Sequence, residues 1–174
     1  MKQLIINSKA CIGCRSCELA CALQNEGVMA ADRARIAVIL FSQSREFGLP
    51  CHQVFTCRQC RDAPCRAVCP EGAVTIDSDA PQAVRIDPQK CTGCGICVRA
   101  CPFGAVKIDP AAGRAIKCEL CNNAPACVEF CPTDALTFGE TDPFWARDSA
   151  FLMRGSAILK TAMTSETKTG NKEE

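Results

Sequence analysis

Short runs of alternating apolar and polar residues recur along this chain, and three of them share one form: PEGAVTI at 70–76, PFGAVKI at 102–108 and PTDALTF at 132–138. Each is a proline turn leading into a run of strand length with a period of two. Further short strands are expected at Leu4 to Asn7, Val84 to Asp87 and Ala115 to Lys117. Together these predict a repeating unit of strand, loop, one or two turns of helix, then strand.

Two segments lie outside the units. Residues 22–50 contain RIAVILF at 35–41, bounded by polar residues and closed by Gly48, Leu49 and Pro50, which reads as one strand of an arm. That arm either contacts a partner or covers the core. Near the other end, Asp142 and Pro143 suit the N-cap and first position of a helix. Phe144, Trp145, Phe151, Leu152, Ile158, Leu159 and Met163 would give this helix, assigned to 141–164, a narrow apolar stripe. The stripe either packs back onto the protein or docks on another subunit or another copy of the chain. Residues 165–174 are polar and are expected to form a disordered tail.

Cysteine fills the loops of the repeating unit. Sixteen of the seventeen cysteines form four quartets: Cys11, Cys14, Cys17, Cys21; Cys57, Cys60, Cys65, Cys69; Cys91, Cys94, Cys97, Cys101; and Cys118, Cys121, Cys127, Cys131. The third quartet, with Pro102 after it, matches the C-x-x-C-x-x-C-x-x-x-C-P run by which bacterial ferredoxins hold [4Fe-4S] clusters. Residues three apart around a tight loop can grip three corners of one cubane, with Gly13 and Gly93 letting the backbone approach the sulfides. The fourth cysteine lies about one helical turn further on, and Pro70, Pro102 and Pro132 end that helix just after it. Ala22 follows Cys21 instead, so the first helix is expected to run further. The second and fourth quartets are looser and share an Ala-Pro pair, Ala63-Pro64 and Ala124-Pro125, as in a widened version of the same loop. Zinc is the competing reading of paired C-x-x-C units, although zinc sites usually join two separated pairs and each quartet here is crowded into one short run.

Fewer constraints apply to the neighbouring polar residues. Cys51 stands outside the quartets and reads as a buried structural thiol, with a labile ligand or redox thiol as the alternative. His52, the only histidine, reads as a solvated residue before a strand or as a donor near the second quartet. Arg58, Arg61 and Arg66 raise a cluster's potential, orient a partner, or are solvated charge alone.

Composition sets the outer bounds. At 174 residues the chain is one domain or two small modules fused, and clusters would replace much of its core, so the apo protein is expected to be largely unfolded. Twenty basic against nineteen acidic side chains argue against nucleic acid as a main partner. The N-terminal residues run straight into the first quartet without a signal-peptide pattern, which favours a reducing cytoplasm. The longest apolar run, Ile36 to Phe41, falls far short of the roughly 20 residues of a membrane-spanning helix. No phosphate-binding glycine loop, nucleophile–base constellation or second histidine points to a catalytic site.

With four quartets in this order, the chain resembles, over roughly positions 2–140, the four-cluster electron-transfer subunits of molybdenum and tungsten oxidoreductases. That family includes the subunits of dimethyl sulfoxide reductase, formate dehydrogenase and formate hydrogenlyase, and the chain is also similar to the ferredoxin-like proteins beside carbon monoxide dehydrogenase. The resemblance implies an α+β fold of two ferredoxin-like [4Fe-4S] lobes within 1–140, one from the first and fourth quartets and one from the second and third. It further implies that the last cysteine of each quartet ligates the partner quartet's cluster. The four sets would be Cys11, Cys14, Cys17 with Cys131; Cys118, Cys121, Cys127 with Cys21; Cys57, Cys60, Cys65 with Cys101; and Cys91, Cys94, Cys97 with Cys69.

The expected role is therefore non-catalytic: an electron-transfer subunit with four [4Fe-4S] clusters in a cytoplasmic oxidoreductase of anaerobic metabolism. A tungsten-dependent aldehyde oxidoreductase is the partner the resemblance favours. Carbon monoxide dehydrogenase, hydrogenase and formate-linked enzymes are alternatives, and a flavin- or ferredoxin-linked subunit is a further acceptor. Readings of another class are a free soluble polyferredoxin and a cluster-storage protein.

Overall fold

The computed structural model describes residues 2–40, 52–77 and 83–140. Cys51, the predicted C-terminal helix and the tail lie outside the described residues, as does Phe41 at the end of the arm's strand.

Within the described residues, strands and short helices alternate as the apolar pattern requires. The first strand β1 (Lys2–Ile6) leads to α1 (Ser16–Glu26), a 3-10 turn (Ala31–Arg33) and β2 (Ile36–Leu40). The second unit comprises β3 (His52–Thr56), α2 (Pro64–Ala67) and β4 (Val74–Ile76), and the third β5 (Val84–Ile86), α3 (Ile96–Ala100) and β6 (Lys107–Ile108). Last come β7 (Ala115–Ile116), a 3-10 turn (Leu120–Asn123), α4 (Ala126–Glu129) and β8 (Leu136–Glu140).

Helix length follows the residue after the fourth cysteine. Helices α2, α3 and α4 span four or five residues, and Pro70, Pro102 and Pro132 lie just beyond them. Helix α1, with Ala22 in the corresponding place, continues for 11 residues. It ends at Gly27, whose left-handed conformation turns its N–H back to the Leu23 carbonyl.

Among the described residues the strands form four antiparallel pairs: β1 with β8, β2 with β3, β4 with β5, and β6 with β7. Pairing is nested. The strand before the first quartet meets the one after the fourth, Lys2 opposite Glu140 through Ile6 opposite Leu136, while the strand after the second meets the one before the third. The buried apolar residues fall into two groups. Leu4, Ala22, Ile36, Val38, Val54, Leu120 and Leu136 pack together with Cys17, Cys21, Cys118 and Cys127. Val74, Val84, Ile86, Val106 and Ala115 pack with Cys65, Cys97 and Cys101.

The arm between the first two quartets differs from the sequence expectation. Its apolar run is one strand of a hairpin whose other strand, β3, includes His52 instead of following it. In HQVFT only Val54 and Thr56 turn fully inward, and one of these two is polar, so little apolar alternation marks the strand's inner face. Ile36, Val38 and Val54 bury against the first core, which makes this hairpin a cover over that core. Glu18 of α1 fastens it: its carboxylate, 2% exposed, accepts the Val38 N–H at 2.8 Å and pairs with Arg15. No helix among the described residues is long and apolar enough to cross a membrane.

Candidate metal centres

Each helix carries two cysteines four residues apart or sits just before the second of them, and one helical turn separates those thiols along its axis. The consequence is a set of four cavities, each lined by four cysteines. Cys11, Cys14 and Cys17 share one with Cys131, called here the Cys14 cavity. Cys118, Cys121 and Cys127 share the Cys121 cavity with Cys21. Cys57, Cys60 and Cys65 share the Cys60 cavity with Cys101, and Cys91, Cys94 and Cys97 share the Cys94 cavity with Cys69. Thus α1 turns Cys17 into one cavity and Cys21 into the next, and the packing of α1 on α4 and of α2 on α3 sets the cavities in pairs.

The loops reach this geometry in two ways. In the tight quartets, Gly13 and Gly93 both have φ of +71°, and left-handed Arg15 and Gly95 start the helices. A side chain at Gly93 would collide with the Gly113 carbonyl oxygen, 2.0 Å from where its Cβ would lie. In the looser quartets non-glycine residues take positive φ, among them Gln59, Ala63, Cys121 and Asn122. Such backbone is held by its surroundings at a cost of about 1 kcal/mol or more per residue.

Burial governs the thiols. It pushes Cys17 up to about 12 and Cys60, Cys65 and Cys118 up to about 11, and it raises Cys21, Cys97 and Cys127 as well. A metal centre that takes these sulfurs as thiolates must displace their protons, so loading releases protons and is favoured by higher pH. Cys131 is the exception. Burial raises it, but the N–H groups of Thr133, Leu136 and Ala135 and the Thr133 hydroxyl outweigh burial and bring it below the usual thiol range.

Donors also point at the sulfurs. Cys21 Sγ accepts the Arg35 N–H at 3.2 Å, and the Asn25 amide lies 3.6 Å from it and 3.7 Å from Cys121 Sγ. Backbone N–H groups of Gln59, Ala105 and Ala115 donate to Cys57, Cys101 and Cys91 at 3.4–3.5 Å. Donors of this kind stabilise the more negative state of a thiolate-bound centre and raise its potential.

The donor set fits a cubane. The cavities hold about 310–350 Å³ including their mouths, and residues such as Ala73, Val74, Val84, Val106 and Leu136 wall them. Tetrahedral zinc would draw its sulfurs to roughly 3.8 Å of one another. Among the described residues no three ligating side chains form a site for a single ion, and each set of four thiols lines a cavity instead.

A family model described as a 4Fe-4S dicluster domain matches residues 50–141, and one described as a 4Fe-4S binding domain matches residues 8–25. The chain belongs to the 4Fe-4S dicluster-domain family. Iron–sulfur clusters are the cofactors of such domains. Among similar proteins is the thiosulfate reductase electron transfer subunit PhsB of Salmonella typhi, 36% identical over 149 residues, covering 80% of this chain and 76% of that one. The aliphatic sulfonate oxidoreductase polyferredoxin-like subunit of Pyrococcus furiosus is 38% identical over 128 residues, 74% of this chain and 70% of that one. Protein NrfC of Escherichia coli is 38% identical over 151 residues, 80% of this chain and 65% of that one.

The remaining polar candidates of this dicluster-domain chain have definite places. His52 sits over Gly13 of the first quartet, and its Nδ1 is buried without a hydrogen-bond partner among the described residues. Arg58, Arg61 and Arg66 are exposed, and of the three Arg58 lines the Cys60 cavity. Sequence reasoning passed over Asn25, Gln59 and Lys117. Asn25 lies one helical turn after Cys21, a spacing that would have drawn attention to it.

Proposed function

We propose that each of the four cavities holds one [4Fe-4S] cluster and that the chain is a non-catalytic electron-transfer subunit of a multisubunit oxidoreductase. The observation that carries this reading is the lining of each cavity by four cysteines, three from one quartet and the last from its partner. A cubane bound there supplies one-electron redox chemistry. The chain's own residues hold it, exclude water and set its potential. Among the described residues Cys14 and Cys94 are the exposed thiols, and they mark the two cavities where electrons enter and leave. The Cys121 and Cys60 cavities lie between them, giving the order Cys14, Cys121, Cys60, Cys94.

On this reading residues 1–140 form one double ferredoxin-like unit, 141–164 a docking helix that meets the partner or another copy, and 165–174 a tail. The partner is a tungsten or molybdenum oxidoreductase in the cytoplasm, with an aldehyde as the substrate the sequence resemblance favours. A second reading of the substrate draws on the comparisons, since two similar proteins are named for enzymes of thiosulfate and aliphatic sulfonate: the partner acts on an oxidised sulfur compound.

Purification from the native host without oxygen, with metal analysis of whatever stays bound, tests the proposal. Tungsten or molybdenum in a stable complex with this chain is the expected result. Nickel would move the partner to carbon monoxide dehydrogenase or hydrogenase, and an isolated iron protein serving several acceptors would make it a free polyferredoxin.

A further inference from the structure

Lys117, between β7 and Cys118, is fully buried, with 0% of its surface exposed. Its Nζ donates to the Val84 carbonyl and, at 2.8 Å, to the Cys118 carbonyl. Among the described residues no carboxylate pairs with it. Gln59, 1% exposed, joins the same two residues: its Nε2 donates to the Cys118 carbonyl at 2.8 Å and its Oε1 accepts the Val84 N–H at 2.9 Å. Val84 lies on the edge of β5 away from β4, and side chains complete that edge where a strand would otherwise pair.

The place of this bridge matters. Val84 lines the Cys60 cavity and Cys118 lines the Cys121 cavity, so Lys117 and Gln59 sit in the wall between them. Carbonyls satisfy the hydrogen bonds of a buried ammonium but not its charge, and an uncompensated charge in such a place is strongly destabilising. Hydrogen bonding alone does not require the charge, because neutral Gln59 bridges the same residues. A cubane held by four thiolates is a net anion, and reduction makes it more negative. The wall is flanked by two such sets of thiols. Burial pushes Cys65 and Cys118, one in each cavity, up to about 11, and the Lys117 charge pulls against it at both.

We propose that Lys117 is the shared counter-ion of the clusters in the Cys60 and Cys121 cavities and raises the reduction potential of both, leaving the Cys14 and Cys94 cavities unaffected. Reduction of either cluster adds one electron, supplied by the redox partner and passed on to the next acceptor. No bond forms or breaks and no proton moves. Lys117 lies behind the residues that line the two cavities and lines neither itself. It is a positioning residue for charge, and it stabilises the electron on either side of the wall it must cross.

This inference rests on the four-cluster reading, and the test separates the two. In the anaerobically prepared full-length holoprotein, about sixteen iron atoms per wild-type chain tests the reading itself. Potentiometric titration followed by electron paramagnetic resonance then compares wild type with K117M, K117R and Q59L. The inference expects K117M to disfavour reduction of the two inner clusters about tenfold, or about 59 mV for a one-electron couple, with the outer two unchanged. K117R and Q59L should keep wild-type potentials, since one retains the charge and the other removes only hydrogen bonds. Unchanged potentials in K117M, or equal shifts in all four clusters, would overturn it. If K117M fails to take up its clusters, K117R should still load all four, and failure of K117R as well would assign Lys117 to packing and refute the role of its charge.

Discussion

The Cys14 and Cys94 cavities and the Cys121 and Cys60 cavities present the same four thiols to quite different surroundings. The first two belong to tight loops shaped by glycine, and each leaves one cysteine exposed. The other two belong to wider loops whose backbone is held left-handed at non-glycine residues. Their cysteines are buried or half-buried, and Asn25, Gln59 and Lys117 supply polar contacts within or between them. Ligand count thus fixes what a site can bind, while burial and second contacts decide whether it faces a partner or relays between neighbours.

The largest effect should come from removing iron. Both cores pack directly against the cysteines, so chelation under anaerobic conditions should abolish most of the folded far-ultraviolet signal from inner and outer regions together. Survival of one half would show that its core stands alone and would break the symmetry of the comparison.

Next in size is the loss of a single cluster. Cys21 lies in the first quartet by sequence but in the Cys121 cavity by position. Cys21→Ser should therefore weaken or delete the signal of that inner cluster and spare the one beside Cys14. Loss of the Cys14 signal alone, assigned by electron paramagnetic resonance, would contradict the placement.

Equivalent glycines of the two tight loops should respond unequally. At Gly93 a Cβ meets the fixed Gly113 backbone, whereas at Gly13 it meets the Leu40 and His52 side chains, 2.8 and 3.0 Å away. Gly93→Ala is expected to cost roughly 3 kcal/mol and Gly13→Ala about 1–2 kcal/mol, measured by anaerobic denaturation followed through the visible cluster absorbance. Equal losses would mean that strain at φ, common to both, outweighs the collision.

The smallest change is Asn25→Leu. Removing its amide from Cys21 and Cys121 should disfavour reduction of that cluster two- to threefold, from roughly 0.5 kcal/mol of weak hydrogen bonding. A shift at the Cys14 cluster instead would misplace the donor.

Much of this arrangement is legible in the sequence because its causes are local. Cysteine spacing, the proline after Cys69, Cys101 and Cys131, and its replacement by Ala22 after Cys21 account for three short helices and one long one. The flanking strands follow from their alternating pattern. The start of strand β3 at His52 and its pairing with β2 were not legible, since His52 and Gln53 are polar and the partner strand lies in a separate stretch of chain. Lys117 was not either. By composition a lysine is a surface residue, and its burial depends on β5 and Gln59 meeting it from 33 and 58 positions away. The neighbours of His52 are likewise set by the hairpin folding over Gly13, a contact that no local spacing encodes.

Iron and acid-labile sulfide per chain, measured on the full-length protein purified without oxygen, test the central claim most directly. Four cubanes predict about sixteen of each. About eight of each, or zinc in place of iron with no sulfide, would contradict it.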